Sequence, residues 1–405
     1  MIATHSGLRG KPGVELTDAV VEEVVGGFVE MLRLRGQPRT IGVGRDERDH
    51  SGALAERVID AACAAGADVV DFGVASTPAA KLAARSRALG GVVIVTGSHL
   101  PADWNGLKLA AAPRYEPLDV REVPAPRSSP GPPGRARSDD RAAEEHAGAL
   151  CEAFDAARIR AAGLGVQCSG GAGGSAEIAL ERLGCRGGRV SARFLLDPDG
   201  DRLQLADEEG RRFDSEATLA LSALSLAPRT LVKGADTSRI VDRLLEPQGG
   251  RVVAVPTGEL HLLRGIADHG AELAGEGNGG VVVPRVGLAR DGLAAGVAVL
   301  ELMARTGSSL EELVAGLPPL AIRRSTVPCA GPEAAGAVLA AAASELDAEP
   351  PVDPLLGIKL ERPAGAWALA RLSATEPVIR VTAEARTEAE AEALHDEIRA
   401  ALVSS

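Results

Sequence analysis

Apolar positions recur along the first hundred residues at two different periods. From Thr17 to about Leu32 they return at helical spacing, behind a threonine suited to cap the first turn. Similar helical stretches are expected at 53–65 and 79–89. Between them lie short β-branched runs, Ile41–Val43, Asp68–Phe72 and Gly91–Val95, of the length and continuity of buried strands. This alternation predicts a parallel β/α sheet with right-handed crossovers. The run Gly91–Val95 ends in Thr96-Gly97-Ser98-His99, a small-residue turn that delivers a hydroxyl to the carboxyl edge of the sheet. Ligands of open α/β sheets bind at that edge, although a serine in such a turn is also an ordinary turn former.

Further on the pattern repeats in shorter units. Residues 121–140, with Pro124, Pro126, Pro130, Pro132 and Pro133, read as a linker or surface loop that ends a first domain at 1–140. A second, short α/β unit at 141–209 holds a helix at 142–157, a strand at 164–168 and a glycine-rich turn at 169–174. A third at 210–322 holds strands at 231–233 and 251–255 around a helix at 238–245, and Ser309 with Glu312 forms a capping box. The fourth, 323–405, ends in a helix over 387–403, capped by Thr387. A chain of 405 residues is long enough for several such domains.

Composition narrows the function. Hydrophobic residues at 45% and charged ones at 25% describe a soluble globular protein, while aromatics at 2% leave Ala, Val and Leu to fill the cores. Base stacking on aromatic platforms is thereby disfavoured. A net charge of −12 argues against nucleic acid as a partner, but leaves room for a local basic pocket. Met1–Lys11 lacks the apolar core of a signal peptide, and Leu293–Leu300 is too short to span a bilayer. Cysteines 63, 151, 168, 185 and 329 lack CxxC spacing and are expected to be reduced core residues of a cytoplasmic protein.

Five further stretches carry chemistry. Ser6-Gly7-Leu8-Arg9-Gly10 presents a guanidinium whose planar fork suits phosphate oxygens. Asn105-Gly106-Leu107-Lys108 adds an ammonium shortly after the serine turn. In Asp197-Pro198-Asp199-Gly200-Asp201-Arg202, carboxylates at alternate positions can converge on one hard cation. An EF-hand is excluded, since Arg202 stands where that loop requires glycine. Gly275-Glu276-Gly277-Asn278-Gly279-Gly280 sets a carboxylate and an amide on a glycine-rich loop, a pairing suited to adjacent sugar hydroxyls. Arg371-Leu372-Ser373-Ala374-Thr375, with Arg380 beyond it, offers an arginine and two hydroxyls to a phosphate dianion. Each has a bland alternative in a surface turn or mobile loop.

Taken together and in this order, the motifs resemble those of the α-D-phosphohexomutase family. Its phosphoserine loop usually reads Thr-Ala-Ser-His-Asn-Pro, its metal loop Asp-x-Asp-x-Asp-Arg, its sugar loop Gly-Glu-x-Ser-Gly-His and its phosphate loop Arg-Pro-Ser-Gly-Thr-Glu-Pro. The sugar-loop wording here is similar to the archaeal type. Gly97, Leu100, Pro256, Gly280, Leu372 and Ala374 depart from the family wording, and the second unit is shortened.

The resemblance implies three mixed α/β domains and a C-terminal α+β domain around a central cleft. It implies a phosphotransferase that interconverts hexose or hexosamine 6- and 1-phosphates through phosphorylated Ser98 and a sugar 1,6-bisphosphate. Ser98, Arg9, Lys108 and His99 would be catalytic. Asp197, Asp199 and Asp201, with phosphorylated Ser98, would hold Mg²⁺. Arg202, Glu276, Asn278, Arg371, Ser373, Thr375 and Arg380 would bind substrate. A small sugar phosphate is the implied partner, without nucleic acid or membrane, in a monomer or homodimer. Rival readings are a catalytically silent sugar-phosphate binder, a phosphatase that hydrolyses its phosphoserine, and a mutase retuned to an unusual sugar.

Overall fold

A computed structural model describes residues 2–4, 7–127, 132–349, 355–373 and 377–404. Its strands form one sheet of eight, one of three and two of four. The first contains β1 (Ile2–Thr4), β2 (Gly7–Gly10), β3 (Thr40–Arg45), β4 (Asp68–Val74), β5 (Gly91–Val95), β6 (Asn105–Ala111), β7 (Glu116–Pro117) and β8 (Ala136–Ser138). Their order is β1-β2-β6-β5-β3-β4-β8, with β7 beside β6.

The three strands of the β/α alternation, β3, β4 and β5, are parallel as expected, and β8 joins β4 in parallel, while the rest of the sheet is antiparallel. β6 returns antiparallel to β5, and β2 antiparallel to β6. The reason is length: the turn from Thr96 to Trp104 is too short to hold a crossover helix, so the chain doubles back. β5 is buried throughout: Val93 and Val95 join the core under helices Asp18–Leu34 and Ser51–Ala64, and Val92 and Ile94 join the core on the other face.

The described parts of 121–140 belong to this first body instead of linking it to the next. A Cβ on Gly27 would collide with the Pro124 carbonyl, and one on Gly26 would come within 2.9 Å of Pro126 Cβ, so this segment lies flat on the first helix. β8 then extends the sheet edge, with Ala136 opposite Val69.

The expected helix over 142–157 is two helices, Ala142–Ala153 and Ala156–Ala162. Asp155 breaks it, because its carboxylate accepts the Arg158 amide as an N-cap. The second sheet holds β9 (Gly165–Ser169), β10 (Val190–Leu196) and β11 (Leu203–Ala206). The third holds β12 (Thr230–Gly234), β13 (Arg251–Val255), β14 (Leu273–Gly275) and β15 (Val281–Val282), in the order β13-β12-β14-β15. The expected 238–245 helix starts at Ile240. One core, including Leu150, Phe194, Leu219, Val297 and Leu300, runs beneath both sheets. Helix Gly292–Thr306 is its centre, so no core boundary falls at 209/210.

The last sheet, β16 (Ala321–Pro328), β17 (Ile358–Glu361), β18 (Trp367–Leu372) and β19 (Val378–Ala385), is antiparallel in the order β16-β19-β18-β17. Helices Pro332–Glu345 and Glu388–Ser404 pack on it. Thr387 and Glu390 exchange the two hydrogen bonds of a capping box. All five cysteines are free; Cys185 is fully buried, and Cys63, Cys151, Cys168 and Cys329 are partly buried and packed against the cores. Among the described residues no helix is long and apolar enough to cross a membrane.

Candidate active site

Ser98 sits at the end of β5 with φ +50°, a left-handed conformation that costs a non-glycine residue energy unless its surroundings hold it. Here they do. The Ser98 amide donates to Thr96 Oγ1 at 2.8 Å, and Arg48 donates to the carbonyls of Ser98, Leu100, Pro101 and Trp104 at 2.6, 2.8, 2.6 and 3.0 Å. Asp46, fully buried, accepts from the Gly97 amide at 3.3 Å and from Arg48 Nε at 3.2 Å. Asp46 thus braces the serine loop. Arg48, the larger brace, is absent from the sequence reading.

Adjacent strands bring in the cations. Arg9 lies opposite Gly106, and a Cβ at that glycine would come within 2.6 Å of the Arg9 side chain. Arg9 Nη1 donates to the Thr96 carbonyl, and burial lowers its pKa despite the aspartates nearby. Lys108 lies opposite Ile94 and donates to Asp199 at 2.5 Å and Asp201 at 2.9 Å.

The acidic turn between β10 and β11 meets this group. Ser98 Oγ donates to Asp197 Oδ2 at 3.4 Å, and Arg202 holds the same oxygen at 3.0 and 3.1 Å. Thr77 clips the turn in place, its amide donating to the Asp199 carbonyl at 2.8 Å and its hydroxyl to Asp199 Oδ2 at 2.5 Å. The carboxylates of Asp197, Asp199 and Asp201 offer ligand atoms within 4.8 Å of one another.

Burial first, and then the repulsion of Asp201 and Asp199, push the Asp197 carboxyl well above its usual range. Burial opposes ionisation of Asp199 and Asp201 too. Lys108 nonetheless holds the first low, and Arg290, Lys108 and Arg202 hold the second lower still. Asp199 Oδ1 and Asp201 Oδ1 are buried without a hydrogen-bond partner. Buried carboxylate oxygens without hydrogen-bond partners, in a triad whose ligand atoms lie this close together, fit a hard dication such as Mg²⁺.

One cleft of about 820 Å³ opens beside this group. Its lining brings together Arg9, Ser98, His99, Lys108, Arg202, Glu276, Asn278, Arg371, Ser373 and Arg380, while the three aspartates stand behind the wall. His99 is exposed on the rim. The protein around its ring, together with Arg202, still lowers its pKa to about 4, so it is neutral near pH 7.

Glu276 is 1% exposed, and its two oxygens accept from the Gly258 amide and from Arg290, both at 2.8 Å. Asn278 is exposed in the cleft lining, with Oδ1 accepting from the Gly280 amide at 2.9 Å. On the opposite wall Arg371 and Arg380 are cross-strand neighbours, and Arg380 Nε lies 3.2 Å from Ser373 Oγ. Arg371 donates to Asp236 Oδ2 at 2.6 Å. Thr375 lies outside the described residues. Arg290 and Asp236, like Arg48, have no place in the sequence reading. Single charged residues outside any motif carry no signal of a distant partner.

Three models of one family match the chain: phosphoglucomutase/phosphomannomutase alpha/beta/alpha domain I at residues 1–114, alpha/beta/alpha domain III at 214–320, and the C-terminal domain at 357–401. A protein of Methanopyrus kandleri described as "probable phosphoglucosamine mutase" is 28% identical over 97% of this chain and 95% of its own. A phosphoglucomutase/phosphomannomutase of Thermococcus kodakarensis is 27% identical over 95% and 94%. Among solved structures, a phosphoglucomutase/phosphomannomutase family protein of Burkholderia thailandensis superposes with a TM-score of 0.78 at 24% identity, over 100% of this chain and 98% of that one. N-acetylphosphoglucosamine mutase of Aspergillus fumigatus, in complex with GlcNAc-6P and magnesium, superposes at 0.56 and 16% identity, over 99% and 96%.

Proposed function

The chain belongs to the phosphoglucomutase/phosphomannomutase family, and from that premise we propose that it moves a phosphoryl group between O6 and O1 of a hexose or hexosamine phosphate, with Ser98 as the phosphoryl carrier. The observation that carries this reading is the convergence at Ser98. Its hydroxyl touches Asp197, Lys108 bonds the other two aspartates, and an arginine pair faces them across one cleft.

In the first half-reaction the bond from phosphorus to Ser98 Oγ breaks as a bond to the free sugar hydroxyl forms, giving a sugar 1,6-bisphosphate. The hydroxyl proton ends on Ser98 Oγ, and Lys108, an ammonium bonded to two carboxylates, is placed to relay it. Arg9 and Arg202 offset charge on the moving group. Asp197, Asp199 and Asp201, with the phosphate on Ser98, would hold Mg²⁺, which would supply further electrostatic stabilisation of that charge.

Arg371, Ser373, Thr375 and Arg380 grip the phosphate not in transit, Glu276 and Asn278 orient the sugar, and neutral His99 orients the phosphoserine. The bisphosphate then turns end for end, and the second half-reaction returns a phosphoryl group to Ser98. A trace of bisphosphate activates the cycle by phosphorylating Ser98. The segments 1–140, 141–209, 210–322 and 323–405, the middle two built on one shared core, each supply one loop. Free thiols suit a cytoplasmic setting.

The test is a ³¹P NMR time course with Mg²⁺ and a trace of bisphosphate on glucosamine, mannose and glucose 6-phosphates, with Ser98→Ala as control. A new anomeric phosphate signal that disappears in the variant is the expected result, and its rate ranks the sugars. Inorganic phosphate would point to a phosphatase. No conversion of any sugar would point to a silent binder.

A further inference from the structure

Arg290 joins two loops of the cleft, which also meet through the backbone, where the Leu203 amide donates to the Gly279 carbonyl at 3.0 Å. Its Nη2 donates to Asp201 Oδ2 at 2.6 Å and its Nη1 to Glu276 Oε2 at 2.8 Å, so one guanidinium spans a carboxylate of the acidic turn and one of the glycine-rich loop. The residue is firmly placed. Its amide donates to Glu259 at 3.1 Å, itself bonded to Lys81 at 2.8 Å. Its neighbour Asp291 caps helix Gly292–Thr306 and accepts from His146 at 2.7 Å. The loop makes room for it: a Cβ at Gly280 would come within 2.7 Å of Arg290 Cδ. Arg290 Nε is buried without a partner, so the side chain is held by its two carboxylates and not by its stem.

We infer that Arg290 is a positioning residue with two separable effects. It fixes Glu276 in the orientation the sugar meets, and its standing positive charge beside Asp201 weakens the hold of the aspartate turn on a dication. The second effect follows from charge alone. A cation bonded to Asp201 Oδ2 repels a second cation approaching Oδ1, and low local dielectric magnifies that repulsion. A moderated affinity keeps the dication exchangeable. The inference rests on the mutase reading for what the two loops bind.

Both effects are measurable without turnover, on the full-length chain. Mn²⁺ is titrated by electron paramagnetic resonance, and glucose 6-phosphate by calorimetry in metal-free buffer. Arg290→Met, close in size and uncharged, is expected to bind Mn²⁺ at least about tenfold more tightly and glucose 6-phosphate at least about tenfold more weakly. Arg290→Lys keeps the charge but not the fork, so it should restore the parent Mn²⁺ affinity and leave sugar binding weak.

A side chain with a merely structural role would weaken both ligands together in Arg290→Met, and that outcome, or no change in Mn²⁺ affinity, overturns the inference. Should Arg290→Met not fold, Arg290→Lys decides: Mn²⁺ affinity kept with sugar affinity lost supports it, and both kept or both lost overturns it. A parent chain that takes neither ligand would sink the mutase reading and this inference with it. A parent that takes both, with an indifferent Arg290→Met, sinks the inference alone.

Discussion

Arg371 and Asp236 form an ion pair at 2.6 Å that ties the C-terminal sheet to the loop after β12, with both side chains largely withdrawn from solvent. Arg371 also leads the loop proposed to hold the substrate phosphate. A substrate phosphate must therefore displace Asp236 or share its guanidinium, and part of the binding energy goes into breaking that ion pair. Asp236→Asn removes the competing charge. The expected outcome in steady-state kinetics is a KM lowered about threefold to tenfold with kcat not raised, because the freed guanidinium grips the phosphate equally in the ground and transition states. An unchanged or higher KM would mean that Asp236 holds Arg371 in its productive pose.

Gly97 stands where the family motif usually has alanine, and the structure gives the reason. A Cβ there would come within 2.6 Å of Arg48 Cζ and 2.8 Å of the Trp104 carbonyl. Gly97→Ala should cost about 1–3 kcal/mol by urea denaturation, since the crowding atoms are themselves held in place. Part of that cost should vanish when Arg48→Ala is already present, giving a coupling between the two sites in a double-mutant cycle. Additive losses would locate the crowding at Trp104 alone.

The orphaned oxygens of Asp199 and Asp201 make metal removal informative for stability as well as for catalysis. A dication bound by the folded turn and not by the unfolded chain raises the melting temperature by mass action. Protein stripped with EDTA and returned to millimolar Mg²⁺ should melt several degrees higher than the stripped form. Asp201→Asn should abolish most of that rise, by scanning fluorimetry. A rise unaltered by the variant would place the cation elsewhere.

What could be read in advance divides along a physical line. The serine turn, the acidic turn and the capping boxes at Ser309 and Thr387 are each encoded within a few consecutive residues, where backbone geometry and side-chain chemistry are fixed by near neighbours. Arg48, Asp236 and Arg290 were not legible, because each acquires its meaning from a partner far along the chain. Asp201 is 89 residues from Arg290, and Asp236 is 135 from Arg371. The first sheet was half legible. Its β/α alternation does mark the parallel strands, but nothing in the apolar run of β6 distinguishes a strand that returns directly from one that crosses over. The flat packing of Pro124 and Pro126 on Gly26 and Gly27 was hidden for the same reason: a proline-rich composition describes stiffness and not what the segment lies against.

Glu216 gives the pH prediction. The carboxyl is 3% exposed beneath the glycine-rich loop at 275–280, where it accepts from the Ser238 amide at 3.2 Å and from Arg324 of β16, and a Cβ on Gly277 would collide with it. Burial raises its pKa to about 8, and the pull of Arg324 in the other direction is the weaker influence because that side chain is itself well exposed. The folded chain therefore holds this proton more tightly than the unfolded chain does. Stability contributed by the neutral form is fully present below the ordinary carboxylate range and is lost as pH rises toward about 8. Glu216→Gln keeps the shape and removes the titration. Its stability should match that of the parent near pH 5 and exceed it increasingly from pH 6 to 8, by on the order of a few kcal/mol at the upper end, with a melting temperature that rises in step. The same trend should appear in the docking of the C-terminal sheet, because ionised Glu216 must either recruit Arg324 fully or draw water beneath Gly277. Parallel melting curves of parent and variant across that range would show that Arg324 already keeps the carboxyl ionised.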